Sequence, residues 1–343
     1  MALLLPGFLI LTFLRWSGIT GKTSCQFMSD IPDIGIDDRW ILSRRGNKNP
    51  VDPRKPYAWL VENERSVSGR IEATATIFLT NRECHYRCLM CDLWKNTTDE
   101  SVPAGSIPHQ IEWVLNQIPG AKHLKLYNSG SFFDEKAIPS QDYGSIASLI
   151  SHFETVIVES HPRLINDKCL HFRDMLQPDL QVALGLETVH PDILRKLNKR
   201  MTLEDFENTV SFLTRHEILS RAFILLRPPF MSESDGIFWA ERSLDFAFAA
   251  GVECCTVIPV RPGNGTMEKM MEMGFYSPPE IRSLEKVLEY GIKLHAGRVF
   301  ADVWDIGLFS SCQICTEERT KRLIEMNLSQ RIQNPVVCGC DLI

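Results

Sequence analysis

The stretch Glu83-Cys84-His85-Tyr86-Arg87-Cys88-Leu89-Met90-Cys91-Asp92 decides how this chain is read. Its cysteines follow the spacing C-x3-C-x2-C, after a β-like run at 73–80 and the polar break Asn81-Arg82. Thiolates spaced this way on one loop can converge on a single metal centre. A structural zinc ion takes four ligands, and an iron–sulfur cubane usually takes four thiolates. Only three are offered here. One iron of a cubane would keep an open position, and an open iron can bind substrate. The other reading is three buried or zinc-bound cysteines, and the flanking context has to separate the two.

With that context, Cys84, Cys88 and Cys91 resemble the signature of radical S-adenosylmethionine (SAM) enzymes. The resemblance implies a [4Fe–4S] cluster whose open iron chelates the amino and carboxylate groups of SAM. It further implies reductive cleavage of SAM to a 5′-deoxyadenosyl radical. The family often has an aromatic residue just before the last cysteine; here Met90 stands there and keeps an apolar contact.

The totals allow one large α/β domain with extensions, or two small ones. The chain has 343 residues, 44% hydrophobic and 23% charged, as in globular proteins, and is long enough for a sizeable core. A net charge of −6 gives no global basic field for nucleic acid. The 11 cysteines cluster, which favours metal sites over a disulfide framework and a reducing, cytoplasmic setting. Residues 2–14 are apolar, but no basic n-region precedes them and the run is too short for an ordinary membrane span. They are read as an over-extended start, with Met28 as the alternative first residue. A peripheral anchor and a poor signal peptide are the other readings; no stable membrane insertion is expected.

From Ile71 onward, strand and helix patterns alternate. Strand candidates are 71–80, 123–127, 155–159, 180–186, 221–226, 255–260 and 299–303. Helical patterns lie between them at 107–118, 143–152, 167–175, 191–197, 203–215, 234–250 and 279–295. Such alternation predicts an α/β fold of parallel strands with helices outside. About six βα units fall short of the eight of a complete barrel, which predicts a partial (β/α)6 TIM-like barrel. Residues 1–54 are expected to be an N-terminal extension, 55–298 the barrel, and 299–343 a Cys-rich tail. The aromatic, proline-containing segment around Pro53, Tyr57 and Trp59 reads as a lid strapped over the end of the barrel.

Ligands of parallel barrels sit at the carboxyl ends of the strands. After the second strand, Ser129-Gly130-Ser131 resembles the glycine-rich segment that receives the SAM amino group. Gly185-Leu186-Glu187-Thr188, and 197–202 with Arg200, resemble segments of elongator catalytic subunits and coproporphyrinogen dehydrogenases. By that likeness Glu187 and Arg200 touch the ribose or carboxylate of SAM; otherwise they form structural ion pairs. Arg261-Pro262-Gly263 resembles a methylthiotransferase segment. Arg227 and Arg261 would bring cations to the mouth, or pair with acidic residues.

The tail holds Cys312-x2-Cys315 and Cys338-x-Cys340, two chelating pairs joined by a helix-like segment at 317–328. Four thiolates suit structural zinc or an auxiliary cluster, and the sequence does not choose between them.

Trp59, Glu62, the Cys84–Cys91 loop, Ser129-Gly130-Ser131-Phe132 and Asp134 resemble the archaeosine-biosynthesis radical SAM subunit, whose group acts on a modified guanine of transfer RNA. The cysteine loop is shorter than in that group and the charge balance is acidic, so the substrate, small molecule or transfer RNA, is not carried over. The likeness implies an external electron donor such as ferredoxin or flavodoxin. Two rival readings are a thiolation enzyme with an auxiliary cluster and a non-catalytic zinc-binding, RNA-associated protein.

Overall fold

The computed structural model describes residues 34–342. The apolar run at 2–14 and Met28 lie outside them. The described residues from Ile36 onward form one compact unit. Its centre is a sheet with spatial order β1 to β8: β1 (Ala58–Arg65), β2 (Ile71–Leu79), β3 (His123–Asn128), β4 (Thr155–Ser160), β5 (Asp179–Glu187), β6 (Leu219–Leu226), β7 (Cys254–Pro259) and β8 (Arg298–Ala301). β1 is antiparallel to β2, and every later neighbour is parallel.

The helices are α1 (Asp38–Leu42), α2 (Ser106–Leu115), α3 (Tyr143–Leu149), α4 (Asp167–Met175), α5 (Pro191–Lys196), α6 (Leu203–Arg215), α7 (Glu233–Ala249), α8 (Thr266–Glu272), α9 (Ile281–Leu294) and α10 (Thr316–Ser329). Local chemistry sets their ends. Thr202 and Asp205 close a reciprocal capping box on α6. On α9, Ile281, Leu284, Val287, Leu288 and Ile292 are buried at helical spacing.

Period-two alternation separates the two faces of the curled half-barrel. Ala75, Ile77 and Leu79 of β2, Leu124 and Leu126 of β3, Val156 and Val158 of β4, and Ala222, Ile224 and Leu226 of β6 join one apolar core with the helices. The intervening residues line the concave side, and many are polar or aromatic: Thr76, Phe78, Lys125, Tyr127, Glu159, Arg221 and Phe223. The concave face is therefore not a second purely hydrophobic layer.

The α/β half-barrel of parallel strands with helices outside is the fold expected; six crossovers join its seven parallel strands, and one antiparallel strand precedes them. The segment around Pro53, Tyr57 and Trp59, read as a lid, is a loop that enters β1 at Ala58. Farther along β1, Glu64 is neutralised inside the concavity. Lys125 Nζ lies 2.5 Å from Glu64 Oε2 and 3.2 Å from Glu62 Oε1, while Arg221 Nη2 lies 2.5 Å from Glu64 Oε1. Lys125, Arg221 and Glu64 of this network are buried and plug the lower end of the half-barrel, while Glu62 stands exposed at its edge.

The open edge at β8 is covered by α10. Asn327 bonds both N–H and C=O of Ala301, and Gln330 both those of Val299, each at 2.8 Å. Side-chain amides thus answer peptide groups that an edge strand would otherwise expose.

Candidate metal and cofactor site

The cysteine loop leaves β2 at the upper rim, where other strand-end segments hold its backbone. Leu89 N–H donates to Leu197 O at 2.9 Å. Asn198 Nδ2 donates to Arg87 O at 2.7 Å. Asn264 Nδ2 donates to Leu89 O and Cys91 O, at 2.8 and 3.1 Å, and Thr266 Oγ1 reaches Leu89 O at 2.6 Å. Segments after β5 and β7 therefore grip the loop between its cysteines. Glu83, one residue ahead of Cys84, gathers Arg45, Lys48 and Arg87 at 2.7, 2.8 and 3.2 Å.

None of Cys84, Cys88 and Cys91 is in a disulfide. Burial pushes the Cys84 thiol up to about 11 and those of Cys88 and Cys91 up to about 12, and neighbouring sulfurs add to each rise. Such thiols stay protonated at neutral pH unless a cation joins them; a bound metal reverses the balance and takes thiolate. Their sulfurs do not all come within 4.8 Å of one another. Thiolates sharing one tetrahedral zinc sit about 3.8 Å apart, from a Zn–S bond of about 2.3 Å. Thiolates of a cubane sit on different irons and lie further apart. The donor set thus suits a cluster with three protein ligands better than one zinc ion.

Beside the loop lies the turn after β3. Asn81 clamps Ser129, donating from Nδ2 to its carbonyl at 3.0 Å and accepting its N–H at Oδ1 at 3.2 Å. The buried hydroxyl of Ser129 and Oδ1 of Asn128 have no hydrogen-bond partner in the protein. Buried polar atoms are rarely left so, and two together mark a place for a polar ligand. Gly130 has φ +96°, and a Cβ there would stand 2.9 Å from Cβ and 3.0 Å from Sγ of Cys84. Only glycine lets this backbone lie so close to the cysteine. The cradle and the orphaned atoms fit a cluster and a polar cofactor side by side.

The other sequence-predicted residues are placed as follows. Ser131 Oγ is 2.6 Å from Ser160 Oγ. Glu187, with φ +67° beside a register shift at Gly185, pairs with buried Lys199 at 2.6 Å. A side chain at Gly185 would collide with both partners of that pair. Arg200 stands outside the group, its guanidinium 2.6 Å from Asp38. Arg227 pairs with Glu233 at 2.5 Å and Arg261 with Asp302 at 2.8 Å, so both mouth cations are paired within the protein.

Lys199 was missed by sequence reasoning, although it adjoins Arg200. Cys88 and Cys84 contribute to raising its pKa, after burial, which lowers it, and Glu187, so its ammonium lies within their field. The signal was the pair of left-handed residues, Asn198 and Arg200, that turns Lys199 inward; no sequence pattern discloses it. Tyr57, Phe78, Tyr127 and Phe223 form an aromatic arc on the concave side, with centroid steps of 5.7, 6.2 and 6.1 Å. Above Tyr127, Glu159 accepts the Asn128 N–H at 3.3 Å, and burial pushes its carboxyl up to about 7. In the tail, the sulfurs of Cys312, Cys315, Cys338 and Cys340 all lie within 4.8 Å of one another.

No family model matches the chain. It is similar to an uncharacterized protein of Methanocaldococcus jannaschii, 26% identical over 69% of this chain and 70% of that protein. It is similar to archaeosine synthase subunit beta of Methanosarcina acetivorans, 23% identical over 80% of this chain and 84% of that one. Among solved structures it is similar to coproporphyrinogen III oxidase of Escherichia coli, a radical SAM enzyme, with 11% identity and a TM-score of 0.43 over 76% of this chain and 56% of that one. A likeness of that size carries nothing about chemistry. No helix among the described residues is long and apolar enough to cross a membrane.

Proposed function

We propose that the protein is a radical SAM enzyme acting in modified-nucleoside synthesis. Cys84, Cys88 and Cys91 would hold a [4Fe–4S] cluster, and the turn at Asn128, Ser129 and Gly130 would seat SAM against it. When bound, the pair would supply reductive cleavage of SAM to a 5′-deoxyadenosyl radical. The observation that carries this reading is the contact between Gly130 and Cys84 beside the unpartnered Ser129 hydroxyl.

The chain's own residues have separate tasks. Asn81 fixes the Ser129 backbone, and Asn198, Asn264 and Thr266 hold the cysteine loop. The Lys199–Glu187 pair sets a buried cation beside Cys88. The concave aromatic arc offers faces on which a base can stack, a contact worth about 1–3 kcal/mol per base in nucleic-acid proteins. The relative named archaeosine synthase subunit beta supports a nucleoside of transfer RNA as substrate, and its name supports work alongside another subunit. A ferredoxin- or flavodoxin-type donor would supply the electron in a reducing cytoplasm.

The test is anaerobic reconstitution with iron and sulfide, then reduction in the presence of SAM. The expected product is 5′-deoxyadenosine, with Cys88→Ala losing both iron and product. Absence of the product from reconstituted wild-type protein, or unchanged barrel iron in Cys88→Ala, sinks the proposal.

A further inference from the structure

The tail cysteines differ from those of the barrel in how closely they approach. Cys312 Sγ lies 3.7 Å from Cys338 Sγ, and Cys315 Sγ 3.6 Å from Cys340 Sγ. These separations are far beyond a disulfide bond of about 2.05 Å. They match the edge of about 3.8 Å of a tetrahedron of thiolates around one ion with bonds of about 2.3 Å. Four thiolates on a cubane would each carry their own iron and stand further apart. From this geometry we propose that Cys312, Cys315, Cys338 and Cys340 bind a single zinc ion that clamps the end of the chain to α10.

The surroundings are those of a built site. Cys315 stands at the N-terminal end of α10, the end that favours negative charge. Arg319 Nε donates to Cys315 Sγ at 3.3 Å while its Nη1 pairs with Glu285 of α9 at 2.6 Å. That buried guanidinium partly offsets the −2 charge of four thiolates around one Zn²⁺ and orients a ligand, as partners behind metal ligands do. Arg322 binds Glu285 and Glu289 and also donates to Gln333 O and Asn334 O. Arg282 donates to Cys340 O at 3.4 Å. The returning strap is thus held along its length by α9 and α10 and closed at its end by the cysteines.

Four thiolates in a closed tetrahedron leave no open position, so the ion is structural rather than catalytic. A single zinc ion holds no sulfide, so the tail is not a sulfur donor. The inference is independent of the barrel chemistry: it rests on the tail distances alone.

Metal analysis of the reconstituted protein tests it. Wild type is expected to carry about one zinc and ~4 irons per chain. Cys338→Ser should lose the zinc and keep the iron; Cys88→Ala should do the reverse. Cobalt substitution of the wild-type protein supplies a readout that needs no variant: a tetrahedral thiolate site gives intense visible d–d bands. Iron rising to ~8 per chain without zinc, a single iron in the tail, disulfides between the tail cysteines, or cobalt without tetrahedral bands would each overturn the proposal.

Discussion

The ring of His161 lies flat on that of Tyr86, with centroids 3.9 Å apart and planes 13° from parallel. Tyr86 sits between the first two cysteines of the loop, and His161 directly follows β4, so the stack fastens the loop to the rim of the sheet. The Nδ1 of His161 accepts from Arg163 N–H at 3.2 Å, so the proton belongs on Nε2, which donates to Lys199 O at 3.0 Å. Burial, with the Lys199 charge behind it, pushes the imidazole down from 6.5 to about 3. The folded protein therefore resists a proton that the unfolded chain accepts. Stability is fully present above pH 6.5 and falls as pH drops from there toward 3. His161→Gln is expected to flatten that limb in urea melts across this range; an unchanged limb would show that His161 does not set it.

Gly130 and Ser129 are neighbours with opposite expected outcomes. Gly130→Ala forces a side chain against Cys84 and a left-handed backbone on alanine, a penalty of about 1–2 kcal/mol from the backbone alone. Its iron content after reconstitution should also fall. Ser129→Ala removes a buried hydroxyl without a partner, so thermal stability of the metal-free protein should hold or rise. SAM affinity, measured on the reconstituted protein by equilibrium dialysis, should drop. A Ser129→Ala protein that binds SAM as wild type does would remove the hydroxyl from the site.

Lys199 and Glu187 test the buried pair. Lys199→Met strands a carboxylate with only 8% of its side chain exposed, and breaking such a pair by removing one partner costs about 3–5 kcal/mol. Lys199→Met with Glu187→Leu should recover most of the loss in denaturant titrations. Failure of the double variant to recover would mean that packing, rather than charge, dominates there.

The plug at the lower end predicts acid sensitivity. Burial alone would raise the Glu64 carboxyl, but Arg221 and Lys125 overrule it and hold the group well below its ordinary 4.5. A depressed carboxyl stabilises the fold above the unfolded value and loses that contribution as pH falls below it. Glu64→Gln is expected to be less stable at pH 7 and to lose less than wild type between pH 4.5 and 2. Parallel losses in the two proteins would contradict the assignment.

The seven parallel strands were legible because helices must cover one face, which imposes apolar residues at alternate positions. β1 was not. Its inward Glu64 looks like a solvent-facing residue until Lys125 and Arg221, far along the chain, are brought to it. The three-cysteine loop, read from its spacing and flanking context, and Gly130, read from its place after a strand, lie against each other. Arg200 and Lys199 show the limit: adjacent cations with similar chemistry are sent to opposite sides by two positive φ angles. The distances between tail sulfurs were likewise beyond spacing, because C-x2-C and C-x-C suit either one ion or a cluster.

Asn327 and Gln330 make only four bonds to β8, and all four come from side chains. Beside them Arg298 of β8 donates to Arg65 O of β1, so the seam between the first and last strands is closed by side chains rather than by a ladder, and the segment that supplies the carboxamides is the same one that anchors the end of the chain.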